Sequence, residues 1–235
     1  MNNLLKCEMY KLWHNRSFWV MLLFSIVLES LMILDSHVVA LTSGLFYASL
    51  YNMPLLYLLI TIFAALFVGE DFVNRTLHSF ISAGHRRGAV MVAKMVTYLV
   101  ASVLILLVPL IIDGFAGTFA SLKFANVSAM KMLSDCLVVL FSILAMGMLP
   151  LLASFFFRDV GKTLLIPMIA FFLMIFILNG DSTKIFATIL PMGQLRLLSV
   201  NQLPISNISV IGIDILWIVG MFAIAYIQFD KLDIK

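Results

Sequence analysis

Six apolar runs divide the chain, at 18–34, 46–68, 90–112, 132–157, 164–178 and 208–229. A hydrocarbon core of ~30 Å takes about 20 apolar residues to cross as a helix. The runs therefore predict an all-α integral membrane protein with six transmembrane helices, built as one transmembrane domain over 1–235. Ahead of the first run, Leu4, Leu5, Met9, Leu12 and Trp13 recur near helical spacing against Lys6, Glu8, Lys11 and Arg16. That pattern predicts an amphipathic helix over 1–16 lying in the membrane interface. Trp13, Phe18 and Trp19 then suit an aromatic belt at the first boundary.

Between the second and third runs lies the longest polar stretch, 69–94, which holds eight charged or titratable side chains. Within it Val73, Leu77, Phe80 and Ile81 are offset by 0, 4, 7 and 8, which places them on one helix face. Asn74, Arg75, His78, Ser79 and Ser82 fall opposite. Glu70 and Asp71 at the start suit the positive end of a helix dipole, and Gly84 follows as a C-cap residue. His85, Arg86 and Arg87 stand where the chain turns back into the membrane. The loop over 70–88 is thus expected to carry a short helix with one buried and one presented face. The segment 179–207 holds two apolar patches too short to span, punctuated by Pro191, Gly193 and Pro204. It predicts interfacial or re-entrant pieces between spans five and six.

Composition agrees with a lipid solvent. The chain is 63% hydrophobic and 11% charged, against about 45–50% and about 25% in soluble domains. A net charge of +3 with no basic, aromatic-interleaved stripe gives no footprint for nucleic acid. Cys7 and Cys136 match no metal or redox spacing, and no cleavable signal peptide is expected. With the N-terminus inside, eleven Lys and Arg fall on cytoplasmic pieces and four (Lys123, Lys131, Lys184, Arg196) on outer ones. The positive-inside rule then places both termini and the 70–88 loop in the cytoplasm.

Candidate chemistry is sparse. Gly161, Lys162 and Thr163 end like a phosphate-binding loop, but the required first glycine is Phe156, and no strand precedes it. Any ATP-driven work is expected from a partner chain. His14, His37, His78 and His85 form no zinc-protease pair, and no serine-hydrolase arrangement is present. The chain is expected not to be an enzyme; an intramembrane enzyme would need paired catalytic side chains at one depth. Ionisable groups inside spans are costly and mark function by default. Glu29 is the deep one, read either as a substrate-pathway or helix-pairing carboxylate or as a protonated or outer-interface side chain. Asp35 and Asp113 end spans one and three. Asp135 and Asp214 are expected at the outer headgroup level. Pro54, Pro109, Pro150 and Pro167 lie within spans as pliable points or as ordinary irregularities.

The polar stretch also carries a resemblance. An acidic residue (Glu70 or Asp71), Asn74-Arg75-Thr76-Leu77, then Ile81-Ser82-Ala83-Gly84-His85-Arg86-Arg87 and Lys94 resemble the first inner loop of ABC type-2 transporter membrane subunits. The start from Leu5 to Leu12 and the ending from Phe229 to Asp233 look similar to that family as well. The resemblance implies a coupling helix that docks on an ATPase subunit through Glu70, Asp71, Asn74, Arg75, Thr76, Leu77, His78, Ser82 and Arg86. A smaller contact would come from the inner turn at 158–163, through Arg158 and Lys162. It further implies a pair of permeases, identical or related, working with an ABC ATPase dimer in a bacterial cell membrane. ATP and Mg would sit on the partner, with no cofactor or metal in this chain. The lack of a fused nucleotide-binding domain resembles the small-permease branch, which includes lantibiotic and bacitracin self-protection exporters. The expected cargo is a hydrophobic or amphipathic compound such as an antimicrobial peptide. A sodium ion, a drug or a lipid is the alternative.

Overall fold

A computed structural model describes residues 2–35, 45–119, 129–178 and 184–230. Residue 1, residues 36–44 and 120–128 (where outer loops are expected), residues 179–183 and the tail at 231–235 lie outside the described residues. The helices in chain order are α1 (Asn2–Trp13), α2 (Arg16–Asp35), α3 (Leu45–Ala64), α4 (Glu70–Val73), α5 (Thr76–Ser82), α6 (Arg87–Phe119), α7 (Ala129–Phe157), α8 (Val160–Leu178), α9 (Lys184–Ile189), α10 (Pro191–Ser199) and α11 (Asn207–Asp230). No strand occurs among the described residues. Six segments are long and apolar enough to cross a membrane: Arg16–Ile33, Phe46–Val73, Arg87–Asp113, Met130–Phe157, Val160–Ile177 and Asn207–Asp230. They coincide in number and order with the six apolar runs.

The span of α3 is the hub, 78% buried against 17% for the spans of α2, α8 and α11. Those outer helices show Leu23, Phe24, Leu173, Phe176 and Leu216 to their surroundings, the pattern of helices facing lipid tails rather than water. Within α3, α6, α7 and α8 the prolines are absorbed without ending the helix. One turn after Pro150, the Ser154 hydroxyl donates back to the Pro150 carbonyl at 2.9 Å.

Several boundaries differ from the pattern-based expectation. Span two does not stop at 68. Its α3 helix passes through a π turn (Ala65–Gly69) directly into α4. Glu70 and Asp71 therefore do not open a helix and face no dipole end. The expected single helix over the polar loop is broken after Val73, because Arg75 takes a left-handed φ of 55°. The break turns Val73 outward, at 59% exposure, away from the face shared by Leu77, Phe80 and Ile81. The α6 helix has 33 residues, ~50 Å at 1.5 Å per residue, so it continues well past Asp113. The inner turn expected over 158–163 shrinks to Arg158 and Asp159, since the Asp159 carboxylate accepts from the Lys162 backbone N–H at 2.9 Å and caps α8.

One end of the bundle collects α1, the α4–α5 loop, the α7–α8 turn and the end of α11. Phe72, Phe155 and Phe229 meet there edge to face, with ring centroids 5.3–6.3 Å apart. The Arg87 guanidinium donates to the Asp230 carbonyl at 2.8 Å. A Cβ added at Gly69 would meet the Val160 Cα at 3.4 Å, so the π turn packs directly on the start of α8. At the opposite end α10 folds back against α3 and α7, and α9 packs on α10 and α8. There Asp135 accepts hydrogen bonds from the Tyr47 hydroxyl (3.0 Å) and the Asn207 amide (2.9 Å).

Candidate functional site

The loop between spans two and three hangs on a group of four charges, of which Glu8, Asp71 and Lys94 are buried and Lys11 is partly exposed. Lys94, on α6, is 0% exposed. Its ammonium donates to Glu8 of α1 at 2.8 Å and pairs with Asp71 of α4. The second Asp71 oxygen is paired by Lys11 of α1. Beneath them the Phe67 ring, turned in by the π turn, lies 3.8 Å from the Lys94 ammonium. Two cations and two anions leave the group neutral. Neutrality matters because an unpaired charge at such a site costs several kcal/mol. The same contacts tie α1, α4 and α6 into one unit.

From that anchor the polar residues run outward. Glu70 is exposed, as are Asn74 and Arg75. The left-handed turn at Arg75 starts α5, and the Thr76 hydroxyl donates back to the Asp71 carbonyl at 3.2 Å. In α5 Leu77 is buried, His78 is half-buried, and Ser79 and Ser82 are exposed. The helix closes in a Schellman motif. The Gly84 N–H donates to the Ile81 carbonyl and the His85 N–H to the Phe80 carbonyl, with Gly84 at φ 91°. His85 and Arg86 follow, both exposed. Arg158 and Lys162, at the same end of the bundle, complete the predicted set. Lys162 is exposed. Arg158 takes a φ of 52°, and burial lowers its pKa while its Nε finds no hydrogen-bond partner.

Of the predicted residues, then, the structure groups Glu70, Asn74, Arg75, Thr76, His78, Ser82 and Arg86 on one outward loop. It turns Leu77 and Asp71 inward. Asp71 differs from its expected place beside Glu70 because consecutive residues on a helix point about 100° apart, and two lysines wait on the inner side. Glu8 likewise leaves the polar face assigned to α1 and faces Lys94. The importance of Glu8, Lys11 and Lys94 was missed by sequence reasoning. The available signal was Lys94 itself, a lysine two turns inside an apolar helix, which demands a carboxylate partner.

Deeper polar groups form two further clusters. Glu29 is 0% exposed, and neither carboxylate oxygen has a hydrogen-bond partner; its neighbours are Ser49 and Asp113. Asp113 is itself buried, with one oxygen unpartnered. Asp214, expected at headgroup level, is fully buried within the protein. It accepts from the Ser142 hydroxyl at 2.8 Å, and that hydroxyl also lies 3.2 Å from the Gln194 amide oxygen. Gln194 reaches this depth because α10 folds inward; nothing in the sequence marked it. Asp135 is also buried within the protein. Among the described residues, no group of three or more His, Cys, Asp and Glu is arranged to hold a metal.

No curated protein matches the chain. A family model described as "ABC-2 family transporter protein" does, over residues 4–179. The matched stretch takes in the α1 helix, the charged group, the polar loop and spans one to five. The family is a membrane component of transport machinery, and membership implies an ABC ATPase as partner. A multi-pass bundle with an anchored polar loop at one end, matched over about three quarters of its length, belongs to the ABC-2 transporter family.

Proposed function

We propose that this chain is the permease subunit of an ABC exporter and that the loop from Glu70 to Arg86 is where the ATPase docks. The observation that carries this is the contrast within one short stretch. Arg75, Ser79, Ser82, His85 and Arg86 are exposed, while Asp71, five residues before the start of α5, is locked into the α1–α6 charged group. A surface that must transmit force needs a polar contact face and a rigid root, and this loop has both. The α7–α8 turn with Arg158 and Lys162 supplies a second contact at the same end. ATP and Mg belong on the ATPase, and this chain does no catalysis. Two permeases, identical or related, act with two ATPases in a bacterial cell membrane, with the loop and both termini in the cytoplasm.

The proposed cargo is a hydrophobic or amphipathic compound, with a lantibiotic-like antimicrobial peptide first. A small cation such as sodium is the second reading, favoured by the buried Glu29 carboxylate and by Asp113, one of whose oxygens has no hydrogen-bond partner; a drug or lipid remains within the same class.

The experiment is co-expression with the cognate ABC ATPase. Wild-type permease is expected to co-purify with it and raise its ATP turnover. The double charge reversal Arg75→Glu with Arg86→Glu should abolish both while leaving the permease folded, since neither side chain supports the core. If assembly and turnover survive that change, the loop is not the docking site.

A further inference from the structure

Next to the α9–α10 pair the bundle holds an apolar cavity of about 160 Å³. Ala145 and Met146 of α7, Met174 of α8 and Met192 of α10 line it, and Trp217 and Met221 of α11 close one side. On the other side of those same two side chains lies an open groove of about 400 Å³, formed with Ile189, Leu216, Gly220 and Ile224. Leu216 is 73% exposed and Ile224 52%, on a helix that spans the membrane, so the groove faces lipid. Trp217 and Met221 are thus a two-residue wall between the bilayer and the interior. The wall has one fixed and one adaptable member. The Trp217 indole N–H donates to the Ile189 carbonyl at 2.8 Å, whereas Met221 has three freely turning bonds and no polar tether.

We propose that the cavity is a site for a hydrocarbon chain, entered sideways from the bilayer through the α11 groove past Trp217 and Met221. No charged side chain lines either space. Tyr57 alone brings a free side-chain hydroxyl to the cavity lining, so a water there would find one such partner where it needs 2–4, and apolar voids of about 150 Å³ stay dry and take up benzene-sized apolar groups. The inner space therefore suits the end of an alkyl chain and rejects a headgroup. Four of its lining residues, Met146, Met174, Met192 and Met221, are methionines, which repack around ligands of differing shape. The occupant to which this commits is the acyl chain of a bilayer lipid. Calling that chain the apolar part of a cargo rests on the exporter reading above; the site itself does not.

The test uses the full chain in phosphatidylcholine nanodiscs doped with phosphatidylcholine that bears a diazirine near one acyl terminus. After photolysis, adducts are mapped by mass spectrometry. Wild type is expected to carry adducts at Met146, Met174 or Met192 as well as at lipid-facing Phe176. A Cβ at position 220 meets no atom within 4 Å, so Gly220→Phe fills the groove without a clash. It should lower the inner adducts about tenfold while Phe176 labels as before, which reports an intact fold. Ala145→Leu, filling the cavity from within, should lose the inner adducts and keep those at Leu216 and Ile224. Absence of inner adducts in wild type, or inner adducts unchanged in both variants, overturns the site. With the ATPase and ATP present, a fall in inner adducts supports a cargo role; an unchanged yield overturns that role alone.

Discussion

Lys94 shows how one residue sets the character of its surroundings. Fully buried and paired with both Glu8 and Asp71, it neutralises two carboxylates that have no other buried cation. Lys94→Met would leave them facing each other with only Lys11, which is 41% exposed. Breaking a buried pair in this way costs about 3–5 kcal/mol. Lys11→Ala, at a solvent-screened position, should cost less than ~1 kcal/mol. Thermal unfolding in detergent is expected to rank the two in that order; equal losses would mean that the group is not a unit. Glu29 poses the reverse case. A buried carboxylate without a partner is a burden on the fold, so Glu29→Leu should raise the thermal midpoint. If Glu29 lines the cargo path, the same change should abolish transport, and Glu29→Gln separates shape from charge.

At the scale of elements, two glycines matter for different reasons, one for a close approach and one for its backbone conformation. A Cβ on Gly193 would sit 2.3 Å from the Ala187 carbonyl oxygen and 2.7 Å from its Cα. Backbone cannot yield as a side chain does, so Gly193→Ala should force α10 away from α9 at a cost of about 1–3 kcal/mol or more. It should also release Gln194 from the Thr188 carbonyl, which it now reaches at 3.0 Å. Faster amide exchange over α9 and α10, with α3 unchanged, is the expected readout. Gly84 has open space around it but a φ of 91°. Gly84→Ala is therefore strained by conformation alone, at about 1–2 kcal/mol. It should loosen the exit of the docking loop and weaken ATPase co-purification without unfolding the bundle.

Across the whole molecule, polar contacts concentrate at the two ends, and the middle is packed by Tyr57, Phe63, Phe67, Tyr98 and Phe171. Lipid tails give helices little hydrophobic reason to associate, so specific packing and buried polar pairs must hold the bundle. The charged group at one end and the Asp135 and Asp214 clusters at the other fill that role. This layout gives the proposed mechanism its mechanical sense. Force applied at Arg75 and Arg86 reaches α1 and α6 through Asp71 and Lys94. Through the packed π turn at Gly69 it also reaches α8.

The six spans, their order, the polar loop and the short pieces before α11 were legible in the sequence. Each depends on local composition and on the 3.6-residue period, and lipid solvent enforces both strictly because an unpaired backbone cannot cross it. The exposed members of the loop, Arg75, Ser82 and Arg86, were legible for the same reason. Tertiary structure alone decided which charges turn inward. Glu70 and Asp71 look alike in sequence, and only the arrival of Lys11 and Lys94, 60 and 23 residues away in the chain, makes Asp71 a buried anchor while Glu70 stays outside. Tertiary packing likewise broke the loop helix at Arg75, carried Gln194 to Asp214, and placed Trp217 and Met221 between a groove and a cavity. Such pairings join segments distant along the chain. No window of sequence contains both partners, so no local pattern records them.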